Sequence, residues 1–132
     1  MRRRAIPLLS ILLIFAGSSA TLAPRADAAD DRRITLRPAA AKFSFAKGHA
    51  KYRDRGGEQE FQVEVENLHR FAGATFTVQV NGVVVGRMPI NVLGRGRLSR
   101  NSDLGQRVPV ITPGSTVRIR KPNGVTILFG RF

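Results

Sequence analysis

Cysteine and tryptophan are absent from this chain, and tyrosine occurs once, at Tyr52. Without cysteine there is no disulfide framework, no thiolate metal site and no thioether-linked lipid, so stability has to come from an ordinary apolar core. The two histidines, His49 and His69, stand far from any metal-ligand spacing, and neither a metal nor a cofactor is expected. With so few aromatic platforms for stacked bases, specific recognition of nucleic acid is not expected either. No serine occupies a G-x-S-x-G setting, and the expected function is non-enzymatic. Acidic residues are scarce: 9 Asp+Glu stand against 22 Lys+Arg, a net charge of +13.

What is present begins with MRRRAIPLLSILLIFAG, three arginines before an apolar run, followed by small residues ending in Ala26-Asp27-Ala28-Ala29. That order predicts a cleavable signal helix over residues 1–29, removed after Ala28 or Ala29, and hence a secreted or periplasmic protein. The apolar stretch Ile6–Ala16 amounts to about 16 Å of helix at ~1.5 Å per residue, too short for a hydrocarbon core of roughly 30 Å. No transmembrane span is expected after cleavage. Arg2-Arg3-Arg4 also raises twin-arginine export, but Ala-Ile-Pro after it matches poorly.

Beyond the leader, apolar residues recur at every second position and turn residues punctuate the chain every ~8 to 12 residues. The expected fold is all-β: an antiparallel Greek-key-like β-sandwich or small barrel of seven to nine strands. Residues 30–41 read as a lead-in, with charged Asp30–Arg33 ahead of a short Ile34-Thr35-Leu36 strand stopped by Pro38, and 42–132 as one domain. Arg53-Asp54-Arg55-Gly56-Gly57 resembles an RNA-binding arginine-glycine box but is more economically a hairpin turn. A reversal across Asp54–Gly57 opposes Arg53 to Glu58, Lys51 to Glu60 and Lys47 to Glu64, with Ala50 facing Phe61 and Gly48 facing Val63 on the other side. Asn81-Gly82 predicts a second hairpin with Val80 against Val83, Val78 against Val85 and a bulge at Gly86 that returns Met88 to the interior. Asn123-Gly124 predicts a third, with Arg118 opposite Phe129, Ile119 opposite Leu128 and Arg120 opposite Ile127. Asn91–Thr116 has room for two short strands.

The run Ala50–Gly57, followed by Phe61-Gln62-Val63-Glu64-Val65 and by Val78–Gly86, resembles a group of small secreted bacterial β-proteins without assigned activity. The layout is also distantly similar to Greek-key sandwiches of the chordin and copper/zinc superoxide dismutase type, without the metal ligands of the latter. The resemblance implies a β-sandwich and brings no catalytic residue with it. Asn101-Ser102-Asp103-Leu104-Gly105 lacks the carboxylate density of a calcium loop. The terminal Phe132 matches outer-membrane barrels, but the outward faces read here are charged.

Charge is the remaining signal. From Asp30 to Glu66 eight basic residues meet seven acidic ones, whereas from Asn67 onward ten basic residues meet only Asp103. If the later strands are neighbours, Arg95, Arg97, Arg100, Arg107, Arg118, Arg120 and Lys121 form one face able to attract an anionic polysaccharide, lipid headgroups or an acidic protein surface. Two other readings stay open at this point. One is an assembly module pairing through an exposed edge, Ile34–Leu36 or Thr126–Arg131. The other is a weak hydrolase using His49 or His69 with a nearby carboxylate.

Overall fold

In the computed structural model, which describes residues 29–132, the chain is all-β: eight strands form one nearly closed, barrel-like sheet. They are β1 (Ala29–Pro38), β2 (Lys47–Arg55), β3 (Glu58–Glu66), β4 (Thr75–Val80), β5 (Val83–Pro89), β6 (Gly96–Asn101), β7 (Thr116–Arg120) and β8 (Thr126–Arg131). The order across the sheet is β5-β4-β7-β8-β1-β2-β3-β6, and every neighbouring pair is antiparallel. The expected signal helix lies outside the described residues. Among the described residues no helix is long and apolar enough to cross a membrane.

The first hairpin turns at Gly56-Gly57, where both residues take left-handed φ (58° and 96°). A two-residue loop of the I′ kind needs that conformation twice, and only the glycine pair supplies it without strain. The turn therefore centres one residue later than the charge pattern alone suggests, and the register moves by two. Arg53 faces Glu60, Lys51 faces Gln62 and Lys47 faces Glu66, while Ala50 faces Val63 and Gly48 faces Val65. An even shift keeps every side chain on its side of the sheet, so the interior and exterior assignments stand although the partners change.

At Asn81-Gly82 (φ 51° and 81°) Val80 meets Val83 as expected. The register slips between Val78 and Gln79, leaving Val85 as the extra residue, one position before the expected bulge at Gly86. Val78 then opposes Gly86 rather than Val85, and Phe76 meets Met88, both fully buried. In the third hairpin Arg118 opposes Phe129 and Ile119 opposes Leu128, but a slip at Ile119/Arg120 sets Arg120 against Thr126 instead of Ile127. That slip lets Ile127 and Leu128 both enter the core, each 0% exposed.

Three sequence expectations change. Asp30–Arg33 is strand rather than lead-in, because β1 already pairs with β2 from Ala29 (opposite Arg55) onward. Asn91–Thr116 yields one regular strand, β6; Gln106–Ile111 is irregular, with Pro109 unable to donate to a ladder. Neither Ile34–Leu36 nor Thr126–Arg131 is an end strand. β1 lies between β8 and β2, β8 lies between β7 and β1, and the two ends of the sheet are β5 and β6.

The alternating residues meet in a single interior built on Leu36, Phe61, Phe76, Met88, Ile119 and Leu128. β1 joins the halves of the sheet through Arg37↔Phe129 and Pro38↔Leu128, extended by an Ala39 N–H donating to the Ile127 carbonyl at 2.9 Å.

Candidate anion-binding surface

Along β7 the inward residues Val117 and Ile119 are fully buried, so Arg118 and Arg120 project from the outer face. β8 repeats the pattern, with Leu128 and Gly130 inside and Phe129 and Arg131 outside. Cross-strand pairing sets rows across this face: Arg87–Thr77–Arg120, and Gln79–Arg118–Phe129–Arg37. Neighbouring strands lie about 5 Å apart, so Arg87 and Arg120, and Arg118 and Arg37, each stand about two strand spacings from one another, and the face spans five strands from β5 to β1. Arg37, Arg87, Arg118 and Arg131 are exposed. Neither Thr75–Pro89 nor Thr116–Arg131 contains an aspartate or glutamate.

With no carboxylate at hand, these cations rest on rings and carbonyls. The Arg118 guanidinium lies 5.1 Å from the centre of the Phe129 ring, and the Lys121 ammonium 5.1 Å from that of Phe71. The Arg120 Nε donates to the Gly124 carbonyl at 2.8 Å. Cation–π contacts at exposed sites contribute only about 0.5–1 kcal/mol each and leave the positive charge uncompensated.

The seven basic residues anticipated from sequence do not share one face. β6 and β7 are separated by β5 and β4 on one side and by four strands on the other, because the crossover after β6 inserts β7 between β4 and β8. Arg118 and Arg120 belong to the face just described, whereas Lys121, just past β7 on the inward side of its alternation, lies over Phe71, which packs on the buried Phe76. Arg95 and Arg97 line an open cleft of about 630 Å³ together with His49, Glu64 and Glu66. There Arg97 Nε lies 3.7 Å from Glu64 Oε2 and, with the Gln62 amide oxygen turned toward it, donates to Gln62 at 3.0 Å. This arginine is already engaged. Its neighbourhood is fixed by the turn before β6: Asn91 Oδ1 accepts from the Leu93 and Arg95 amides at 2.9 and 3.0 Å. A side chain at Gly94 would also stand 2.6 Å from the His69 nitrogen. Arg100 and Arg107 line a third, apolar depression.

Arg37, Arg87 and Arg131 join the face although sequence did not single them out. Arg131 was within reach of the hairpin pattern, two residues from Phe129; Arg37 was not, because only the non-local β1–β8 contact brings it there.

His49 faces Glu64 rather than Gln62, a consequence of the two-residue register shift, and its Nε2 lies 2.9 Å from Glu64 Oε1. This is a histidine beside a carboxylate, the pairing that the hydrolase reading calls for, and Arg97 shares the same carboxylate at 3.7 Å. His69 is exposed on the short 3₁₀ turn His69–Phe71. No group of three or more His, Asp or Glu among the described residues is placed to hold a metal ion. The Asn101–Gly105 segment spends its polar atoms on the chain: Asn101 Oδ1 accepts from the Asp103 amide at 2.8 Å, and Ser102 Oγ from the Gln59 amide at 2.8 Å. Tyr52 is buried on the inner side of β2, and burial, reinforced by the charges of Asp54 and Asp30, raises its hydroxyl above the usual tyrosine range.

No protein-family model, curated protein or solved structure matches this chain.

Proposed function

We propose that this protein is an exported, non-enzymatic binding module that holds an anionic polymer of the cell envelope or its surroundings on the outer face of β5-β4-β7-β8. The observation carrying this reading is the acid-free outer face of β5, β4, β7 and β8, where Arg87, Arg118, Arg120 and Arg131 stand without a carboxylate on those strands and Arg37 of β1 joins them at the border, opposite Phe129. Uncompensated guanidinium groups about two strand spacings apart raise the local potential, and each suits bidentate grasp of a carboxylate or sulfate along a polymer. Acidic polysaccharide is the simplest ligand of that description; lipid headgroups and acidic protein surfaces offer the same chemistry.

The test is retention on an acidic-polysaccharide matrix compared with a neutral one. Retention is expected on the acidic matrix alone and is expected to collapse as salt rises, since exposed charges are screened over about 10 Å at 0.1 M. Replacing Thr77 and Gln79 together by glutamate sets a carboxylate beside Arg120 and Arg118, and should lower affinity about tenfold or more. Arg97→Gln, on the compensated side, should change little. Equal retention on both matrices at low salt would remove the proposal.

A further inference from the structure

The two end strands of the sheet, β5 and β6, meet without a hydrogen-bonded ladder. They meet instead through side chains that need glycines. A Cβ at Gly96 would stand 2.7 Å from Ile90 Cδ1, and a Cβ at Gly86 would stand 3.0 Å from Leu98 Cδ1 and closer still to the Arg100 guanidinium. Arg100 belongs to the inward series of β6, opposite the buried Phe61, and is the series' only charged member. Its tip crosses the seam, where Nη2 reaches the Val85 carbonyl at 3.5 Å while Nη1 donates to the Ser99 carbonyl at 3.0 Å. No carboxylate partners it among the described ion pairs.

Beside this arginine the seam opens into a groove of about 320 Å³ whose walls are mainly valine and proline and whose charged members are Arg100 and Arg107. Val83, Val84 and Val110 there are 67%, 56% and 76% exposed. Large apolar side chains gathered at one concave place mark a binding site more often than a solvated surface. Two guanidinium groups with no acid in the lining call for an anion, and the valine walls call for a hydrocarbon. A bare phosphate or sulfate would leave the walls wet, and a neutral lipid would leave the guanidinium groups unused.

A peptide strand added to β5 fits less well. The Val85 carbonyl, which an added strand would need, already faces Arg100, and the bulge at Val85 breaks the regular edge. The volume lies at the lower end of the ~300–1,000 Å³ usual for small-molecule sites, which suits one acyl chain rather than two.

The geometry points to a site for a free single-chain fatty acid, its carboxylate held by Arg100 and Arg107 and its chain laid along Val83, Val84 and Val110. The site adjoins the proposed polymer-binding face, since Val84 pairs with Gln79, but it sits at the seam, and Arg118 and Arg131 take no part in it.

The probe is sodium decanoate below its micelle concentration, added to the protein and followed by calorimetry and amide chemical-shift changes. Saturable one-to-one binding is expected, with shifts centred on Val83–Val85 and Arg107–Val110. Methyl decanoate, which keeps the chain and loses the charge, should bind about tenfold more weakly, and acetate should not bind detectably. Arg107→Gln should weaken decanoate about tenfold and leave the methyl ester unchanged, while Val84→Asp should abolish both. Both positions are exposed, and unchanged unfolding midpoints will confirm that the variants fold. Arg118→Gln with Arg131→Gln should leave decanoate affinity intact even where polymer retention is lost, so the two proposals fail separately. Absence of decanoate binding, binding indifferent to Val84→Asp, or shifts centred on β7 and β8 would overturn the assignment. So would a concentration-dependent dimer that Val84→Asp dissociates, which would make the valines a contact between copies.

Discussion

Strands β1, β2, β3 and β6 and strands β5, β4, β7 and β8 share one interior and one alternation of buried and outward residues, but treat charge in opposite ways. In the first group Glu58, Glu60, Glu64 and Glu66 line the outside of β3, flanked by basic residues of β2 and by Arg97 of β6. The five ion pairs among the described residues all lie there: Arg32–Asp30, His49–Glu64, Arg53–Glu60, Arg55–Asp31 and Arg97–Glu64. In the second group the cations have only rings and carbonyls for company. Exposed ion pairs contribute only about 0–1 kcal/mol each, so the acid-free group forgoes little stability by lacking them. What it gains is a field open to an external anion. The compensated half spends its charges on one another; the cations of the uncompensated half have no acidic partner among the described ion pairs.

The largest test of that contrast asks whether the two groups are one folding unit. Phe61 on β3 and Phe76 on β4 are each 0% exposed, and replacing either by alanine should cost about 3–5 kcal/mol. Tyr52, the one tyrosine, reports on the compensated half by fluorescence, and its denaturation curve should coincide with that of far-ultraviolet circular dichroism in both variants. Two separated transitions would show that the groups unfold independently.

A smaller effect belongs to the compensated half alone. Because the hydroxyl of Tyr52 has its pKa raised on folding, the folded state holds that proton more tightly than the unfolded state. The associated stability is fully present below about pH 10, the ordinary tyrosine value, and is lost as pH rises through the higher folded value. Unfolding midpoints compared between pH 8 and pH 11 should fall more steeply in the native protein than in Tyr52→Phe; parallel curves would refute this. The smallest effect is that of Glu60→Gln, which removes the partner of Arg53 and should cost about 0.2–1 kcal/mol in denaturant titration without reducing polymer retention.

The sequence was most legible where structure is local. Asn81-Gly82 gives its hairpin away because both positions need left-handed backbone, and Arg118–Phe129 and Ile119–Leu128 follow from alternation around Asn123-Gly124. Gly56-Gly57 marks a turn, but opposite charges can be matched in more than one even register, so charge complementarity fixes the faces and not the partners. The slip at Ile119/Arg120 leaves little mark in composition, because valine, isoleucine and leucine fit either side of such a strand. The candidate surface was half visible: Arg118 and Arg120 stood out in the acid-poor second half of the chain, whereas their separation from Arg97 depends on the crossover that inserts β7 between β4 and β8. No local pattern encodes that crossover.

The β1–β8 junction bears on how the molecule is made. β1 is the earliest strand of the described chain to be synthesised and β8 the latest, yet they lie side by side in the middle of the sheet. Such a closure has a long loop to overcome, which slows folding. A nascent chain lacking β8 has two open four- and three-stranded pieces and an unsheltered Leu36, so the finished architecture waits on β8.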